Sequence, residues 1–264
     1  MTPTNSLERA FLILDFVEKA HGGARHAEIA RELQIPKSSC SWILARLVRQ
    51  GYLTLDEDVG RFKIGLRAVA LARGALRELG FRSSAEPVLY RMASETGLAA
   101  GIGVWEEGAV LLVDRVEPPE RALRPELHER PREERDVGRK LPAHTTALGK
   151  VLLAHLPRPQ IESYLDQHTL IKRTSRTIVN REQLMAELRR IRQRGYAIAD
   201  REHDSHLRAM AAPIFDLTGA ARAALSLNGD ETSDAWRDPK SLVSRITTAA
   251  AEISAGAGLR WISA

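Results

Sequence analysis

Cysteine is nearly missing from this chain: Cys40 is the single thiol among 264 residues. An internal disulfide needs two thiols, so none can form, and a cysteine-based zinc site is excluded with it. Long apolar runs are missing too. The longest stretch without a charged residue, 96–105, has ten residues, about half of what a membrane-spanning helix needs. The opening Met1-Thr2-Pro3-Thr4-Asn5-Ser6 shows no basic stretch followed by an apolar one. No secretory leader is expected there, and the expected location is cytoplasmic with no membrane partner. Aromatic residues are sparse at 5%, yet hydrophobic residues reach 44% against 28% charged. That balance supports a packed core and excludes a disordered or collagen-like chain. The length suits two modest domains or one large one.

The 39 basic and 34 acidic residues leave a net of +5. This is compatible with a polyanionic partner, but where charge sits matters more than its sum. Residues 1–80 hold 12 basic and nine acidic residues, and residues 171–194 hold eight and two.

Three helical patterns and a hairpin fill the first 65 residues. Ser6 is the expected N-cap of a first helix with apolar positions Leu7, Ala10, Phe11, Leu14 and Val17. A short second helix, about 26–33, offers Ala27, Ile29, Ala30 and Leu33 for burial. Gln34-Ile35-Pro36 makes a tight connection, and Pro36 suits the first turn of a third helix, where its missing N–H would be unpaired anyway. That helix is expected to run to about Gln50, with Cys40, Ile43, Leu44, Leu47 and Val48 on one stripe and Gly51 ending it. Residues 52–55 and 61–64 read as a hairpin. Alternation turns Leu55, Phe62 and Ile64 inward and leaves Arg61 and Lys63 outward. A helix over 66–79 then leads away, with Leu66, Val69, Leu76 and Leu79 available to pack against another subunit.

From Ser83 onward helices and strands alternate. Helices are expected over 85–96, 145–155, 159–167, 181–194 and 239–259, and strands over 98–105, 109–116, 196–202, 209–215 and 221–228. Asn180 and Gln183 form a capping box ahead of 181–194. Residues 117–140 carry four prolines, seven acidic and seven basic residues, the composition of a solvated, mobile loop. There is no internal repeat.

The polar face of the third helix carries the first chemistry. It presents Lys37, Ser38, Ser41, Trp42, Ala45, Arg46 and Arg49. Helix, short turn, helix and basic hairpin make a winged helix-turn-helix, whose second helix can enter a major groove. Lys37, Ser38 and Ser39 at the helix start suit phosphate oxygens. Ser41, Trp42 and Arg46 can reach base edges, while Arg61 and Lys63 would grip the flanking backbone. A small helical protein-interaction module is the alternative.

These stretches resemble the IclR family of bacterial transcription regulators. The likeness rests on Ser6-Leu7-Glu8-Arg9-Ala10, Glu28-Ile29-Ala30-Arg31-Glu32-Leu33, Pro36-Lys37-Ser38-Ser39, Gly51-Tyr52-Leu53 and Arg61-Phe62-Lys63-Ile64-Gly65. Farther on it includes His144-Thr145-Thr146-Ala147-Leu148-Gly149-Lys150, Arg194-Gly195-Tyr196-Ala197 and Ala211-Ala212-Pro213-Ile214-Phe215-Asp216. It implies an α+β chain: a winged helix-turn-helix over 1–66, a linker helix over 67–82 and a GAF-like α/β effector-binding domain over 83–264. It also implies double-stranded operator DNA as partner, and a homodimer or dimer of dimers. The implied function is a sequence-specific regulator, more often a repressor, modulated by a small organic acid. Family members often carry a basic or imidazole side chain where this chain has Ser41 and Trp42, so an operator does not transfer.

Carried over by motif, the effector pocket would include Thr145, Thr146, Ala147, Leu148, Ala199, Leu207, Ala209, Ser226 and Asn228. Helix N-termini such as the one after Thr145 and Thr146 favour carboxylates. Some relatives hold an acid where this chain has Ala199 and a cysteine where it has Ala209. A roomier, less polar pocket is therefore expected, suited to an aromatic carboxylate. The rivals are a GAF-like sensor acting through protein contacts and a small-molecule enzyme with an accessory helical domain. Against the enzyme, Gly149-Lys150 lacks the glycine spacing of a P-loop, and no catalytic triad is evident. Glu202-His203-Asp204-Ser205-His206 concentrates metal-ligand types, but strand alternation would part the two histidines. No catalytic residue, metal or cofactor is expected. The arginines of 181–194 surround Leu184, Leu188 and Ile191, which makes that helix a surface element packed by one stripe.

Overall fold

The structure, a computed structural model, describes residues 5–20, 22–78, 81–122 and 137–256. It divides into two compact units, Met1–Glu78 and Leu79–Ala264.

In the first unit, helix α1 (Ser6–Lys19) is capped by Asn5, whose side-chain oxygen accepts the Glu8 N–H at 2.8 Å. Ser6, expected as the cap, is the first helical residue instead. The buried row of α1 is also rotated from the expected one. Ile13 and Val17 are buried with Ala10, Leu14, Phe16 and Ala20 packed alongside, while Leu7 and Phe11 are exposed. Strand β1 (Ala24–Arg25), not anticipated, precedes α2 (His26–Glu32), and the Arg25 N–H donates to Glu28 at 2.9 Å. Helix α2 buries Ile29 and Ala30 and leaves Ala27 outside. Helix α3 (Lys37–Arg49) begins after Pro36, which stands at the cap and not in the first turn, and buries Cys40, Ile43 and Leu44.

Strands β2 (Leu53–Asp56) and β3 (Arg61–Ile64) join β1 in an antiparallel sheet of order β1-β3-β2. Leu53 pairs with Ile64 and Leu55 with Phe62, so these four share one face. Leu53 and Phe62 close the small core, but Leu55 and Ile64, expected inward, are exposed because that core ends before reaching them. The β1–β3 approach demands a glycine: Gly23 has φ +84°, and a Cβ there would stand 2.8 Å from Lys63 Cγ. Helix α4 (Arg67–Glu78) follows, with Val69 and Leu71, and Leu66 just before it, exposed. The side chain of Leu76 and all of Leu79 lie outside the described residues.

The second unit is built on a six-stranded antiparallel sheet of order β6-β5-β4-β9-β8-β7. Its strands are β4 (Ala99–Glu106), β5 (Ala109–Val116), β6 (Lys140–Pro142), β7 (Ala197–Asp200), β8 (Leu207–Phe215) and β9 (Ala221–Asp230). One face packs against α5 (Arg82–Thr96) and α10 (Pro239–Gly256). The other packs against α7 (Ala147–His155), which in turn backs onto α9 (Arg181–Arg194). Because strand side chains alternate, register sorts the residues. Met210, Ala212 and Ile214 sit opposite Leu227, Leu225 and Ala223 on one face, while Ala209 and Ala211 sit opposite Asn228 and Ser226 on the α7 face. Gly101 and Gly103 of β4 continue that second face. It is therefore paved with small side chains.

Several boundaries differ from expectation. Pro119–Ala122 forms a short helix, α6, within the segment expected to be all loop, and Lys140–Pro142 forms β6 at its end; residues 123–136 lie outside the described residues. Strand β7 stops at Asp200, and β9 reaches Asp230. Helix α8 (Arg158–Gln167) and the Asn180 cap on α9, which accepts the Gln183 N–H at 2.9 Å, appear where expected. Leu184, Leu188 and Ile191 are buried as the stripe of α9. Among the described residues no helix is long and apolar enough to cross a membrane.

Candidate functional site

The exposed face of α3 is the one the periodicity marks. Lys37, Ser38, Ser41, Trp42, Ala45, Arg46 and Arg49 are all exposed, and Ser39 is half-buried. Trp42 is 55% exposed. The Arg46 guanidinium lies over that ring, 5.0 Å from its centroid. Ser41 Oγ is 2.9 Å from His26 Nε2, which also lies 3.2 Å from the Lys37 carbonyl. On the hairpin, Arg61 donates to the Gly23 carbonyl and stands 3.9 Å from Glu28, while Lys63 donates to Asp56 at 2.8 Å. The two wing cations are thus engaged inside their own unit.

In the second unit a pocket opens between the small-residue face of the sheet and the N-terminus of α7. It is lined by Leu112, Arg115, Leu141, Thr146, Ala147, Leu148, His203, Leu207, Ala209, Ser226 and Asn228, with about 530 Å³ of space, mouth included. Seven of the nine expected residues line it. Thr145 and Ala199 do not: both are buried behind the wall, Thr145 with its Oγ1 2.9 Å from His203 Nδ1 and Ala199 paired with Ala209. Thr146 caps α7, accepting the Gly149 N–H at 3.1 Å and donating to the Pro142 carbonyl at 2.9 Å.

Arg115 is the polar centre of this pocket. Its strand partner is Gly101, itself paired with Ser226, so the side chain projects to the α7 face. Only 15% exposed, it donates from Nε to Glu117 at 2.8 Å and from Nη1 to Asn228 Oδ1 at 3.3 Å. A guanidinium held by two partners, with Leu112, Ala147, Leu148 and Leu207 on one side and Thr146, His203, Ser226 and Asn228 as further polar lining, suits a carboxylate, since its fork matches two oxygens.

The comparisons agree with this division. The model for the bacterial transcriptional regulator IclR C-terminal region matches residues 73–255, and the IclR helix-turn-helix model matches residues 6–57. The chain belongs to the IclR family. It is a DNA-binding transcription regulator with an effector-binding domain, not an enzyme. The HTH-type transcriptional regulator BhcR of Paracoccus denitrificans is 30% identical over 251 residues, 95% of this chain and 86% of its own. The transcriptional repressor IclR of Escherichia coli is 27% identical, covering 85% and 79%. In fold, an IclR homolog from Microbacterium hydrocarbonoxydans, solved as a complex with 4-hydroxybenzoate, superposes with a TM-score of 0.82 at 24% identity over 96% of this chain and 99% of that one.

Within this IclR-family chain the acidic-histidine run has a structural role. Residues 201–206 are not strand, so alternation does not order their side chains. Glu202 is buried and pairs with Lys150 Nζ at 2.5 Å; Lys150, 1% exposed, also donates to the Ile198 carbonyl at 2.7 Å. Burial pushes the Glu202 carboxyl up, against the pull of the Lys150 charge. Three successive carbonyls are held from the segment before α9: Arg201 by the Thr174 hydroxyl, Glu202 by the Thr177 hydroxyl and His203 by Arg173 Nε. Among the described residues no group of three metal-ligating side chains is assembled. Leu112, Arg115, Leu141 and His203 were not anticipated at the pocket. For Arg115 one signal was present, a lone cation inside the apolar run of β5; its direction depended on a register that no local pattern reveals.

Proposed function

We propose that this regulator binds operator DNA through α3 and the β2–β3 wing, and that a small organic acid in the Arg115 pocket, an aromatic carboxylate, modulates that binding. Residues 1–66 form the reading head, 67–82 the linker and 83–264 the effector domain. The working unit is a cytoplasmic homodimer or dimer of dimers that acts as a repressor, the exposed apolar Leu66 and Val69 meeting a second copy. The effector acts by binding one arrangement of the paired heads more tightly than another.

The observation that carries the effector class is the half-buried Arg115 guanidinium facing a wall of Ala147, Leu148, Leu207 and Ala209. One cationic edge beside an apolar side of the pocket fits a carboxylate on a flat hydrocarbon better than a two- or three-carbon acid, which would leave that side unfilled. The related fold holding 4-hydroxybenzoate supports the same class. Calorimetric titration with benzoate-type acids and with the smallest acids tests it. Aromatic acids should bind, and Arg115→Gln should weaken them about 10- to 150-fold, the loss of a charge-assisted hydrogen bond. Preference for the smallest acids, or an Arg115→Gln variant with unchanged affinity, refutes the assignment. Salt-sensitive duplex binding released by the acid tests the coupling to DNA.

A further inference from the structure

We propose that Trp42 is the positioning residue of the reading head and that it presents Arg46 to a guanine in each operator half-site. This rests on the DNA-binding role of α3. The two side chains are four residues apart on one helix and therefore share a face. The guanidinium carbon lies over the indole, 5.0 Å from the ring centroid. A cation resting over a ring face is held there by the ring, while its N–H donors remain able to reach guanine O6 and N7. An exposed arginine ordinarily samples many rotamers, and a ring that restrains it lowers the entropy lost on docking.

The other cations of α3 and of the β2–β3 wing are less suited to the task. Arg61 is turned to the Gly23 carbonyl and Lys63 to Asp56. Lys37 stands at the first residue of α3, where phosphate contacts are made. Arg49 is the last residue of the helix, three positions beyond Arg46. Ser41, the neighbouring polar candidate, is turned sideways: its Oγ sits 2.9 Å from His26 Nε2 on α2. That contact and the 3.2 Å approach of the same nitrogen to the Lys37 carbonyl tie the start of α3 to α2. On the reading face, Trp42 and Arg46 form a ring–cation pair.

Selection from randomised duplexes with the full-length protein tests this. Wild type, Arg46→Ala, Trp42→Ala and Trp42→Phe are compared for base preference and salt-dependent affinity. Wild type should prefer guanine at one position of each half-site. Arg46→Ala should lower that preference about 5- to 150-fold and leave the other positions unchanged. Trp42→Ala should lower the same preference about two- to fivefold, and Trp42→Phe should restore part of it. Both side chains are exposed, so retained salt-sensitive binding of random duplex reports an intact fold in each variant. A uniform loss of affinity in Arg46→Ala, with the base pattern intact, makes Arg46 a phosphate contact and overturns the proposal. An unchanged guanine preference in Trp42→Ala overturns the positioning role. If wild type itself shows no salt-sensitive duplex binding, the DNA-binding role fails first, and that result is distinct from the other two.

Discussion

Gly149 and Gly74 both lie inside helices, and the same substitution should act on them with opposite sign. Gly149 is in the first turn of α7. A Cβ there would come within 2.6 Å of the Ala143 carbonyl carbon, and nearer still to that residue's Cα and oxygen. Ordinary contact begins near 3.4 Å, so the two backbones must separate by at least 0.8 Å. Overpacking of this kind costs about 1–3 kcal/mol, and the better helix propensity of alanine returns roughly 0.5–1 kcal/mol. Gly149→Ala should therefore destabilise the second unit by about 1–2 kcal/mol. Gly74, within α4, meets nothing within 4 Å of its built Cβ. Gly74→Ala should stabilise the first unit by roughly 0.5–1 kcal/mol. Urea unfolding followed by circular dichroism measures both. Because Thr146, Ala147 and Leu148 line the pocket, moving α7 should also weaken aromatic-acid binding about tenfold or more in calorimetry, an effect that Gly74→Ala should not share. A Gly149→Ala protein with wild-type stability and wild-type acid affinity would refute the idea that the Ala143 contact sets the pocket wall.

Further outcomes follow from buried polar groups. Lys150→Met leaves the Glu202 carboxyl buried without its cation and should cost about 3–5 kcal/mol, while the double change Lys150→Met with Glu202→Leu should recover much of it in the same unfolding assay. Asp216 is held at about 2, because the Arg222 guanidinium, the Thr218 hydroxyl and the backbone N–H groups of Ala220 and Thr218 outweigh its desolvation. A depressed carboxylate contributes stability above its unfolded value near 3.8, lost as pH falls from there toward 2. Asp216→Asn should flatten that part of a stability–pH profile. Cys40 is fully buried and its thiol is pushed up by burial, so a thiol reagent should label the native protein slowly and the urea-unfolded protein at once. Rapid native labelling would place Cys40 outside the α3 core stripe.

Much of the architecture was readable in order. The helix stripe of α3, the small hairpin and the α9 stripe with its Asn180 cap follow from period and cap chemistry, which are local. The misses share one cause. Leu7 and Phe11 have helical spacing but sit on the wrong side of α1, because period locates a stripe only when one apolar row is present, and α1 carries two. Strand β1 has two residues and exists only as a partner of β3. Strand β6 lies beside a charged segment whose composition outweighed three residues. At the pocket, Ala147, Leu148, Ser226 and Asn228 came with the family motifs. Arg115 and His203 did not, since one reaches the site through strand register and the other through a loop held by Thr174, Thr177 and Arg173.

Composition and spacing alone were enough for a two-part chain: one thiol and therefore no disulfide, no membrane-length apolar run, a basic reading helix, and an α/β remainder with a threonine-capped helix. These are properties of neighbours along the chain, where propensity and periodicity act. Folding in three dimensions decided which cations are occupied and which remain open. Arg61 and Lys63 look free in a linear reading and take partners 38 and seven positions away, whereas Arg115 looks like a stray charge and lines a pocket. A side chain's availability depends on what the fold sets beside it, and that is long-range information.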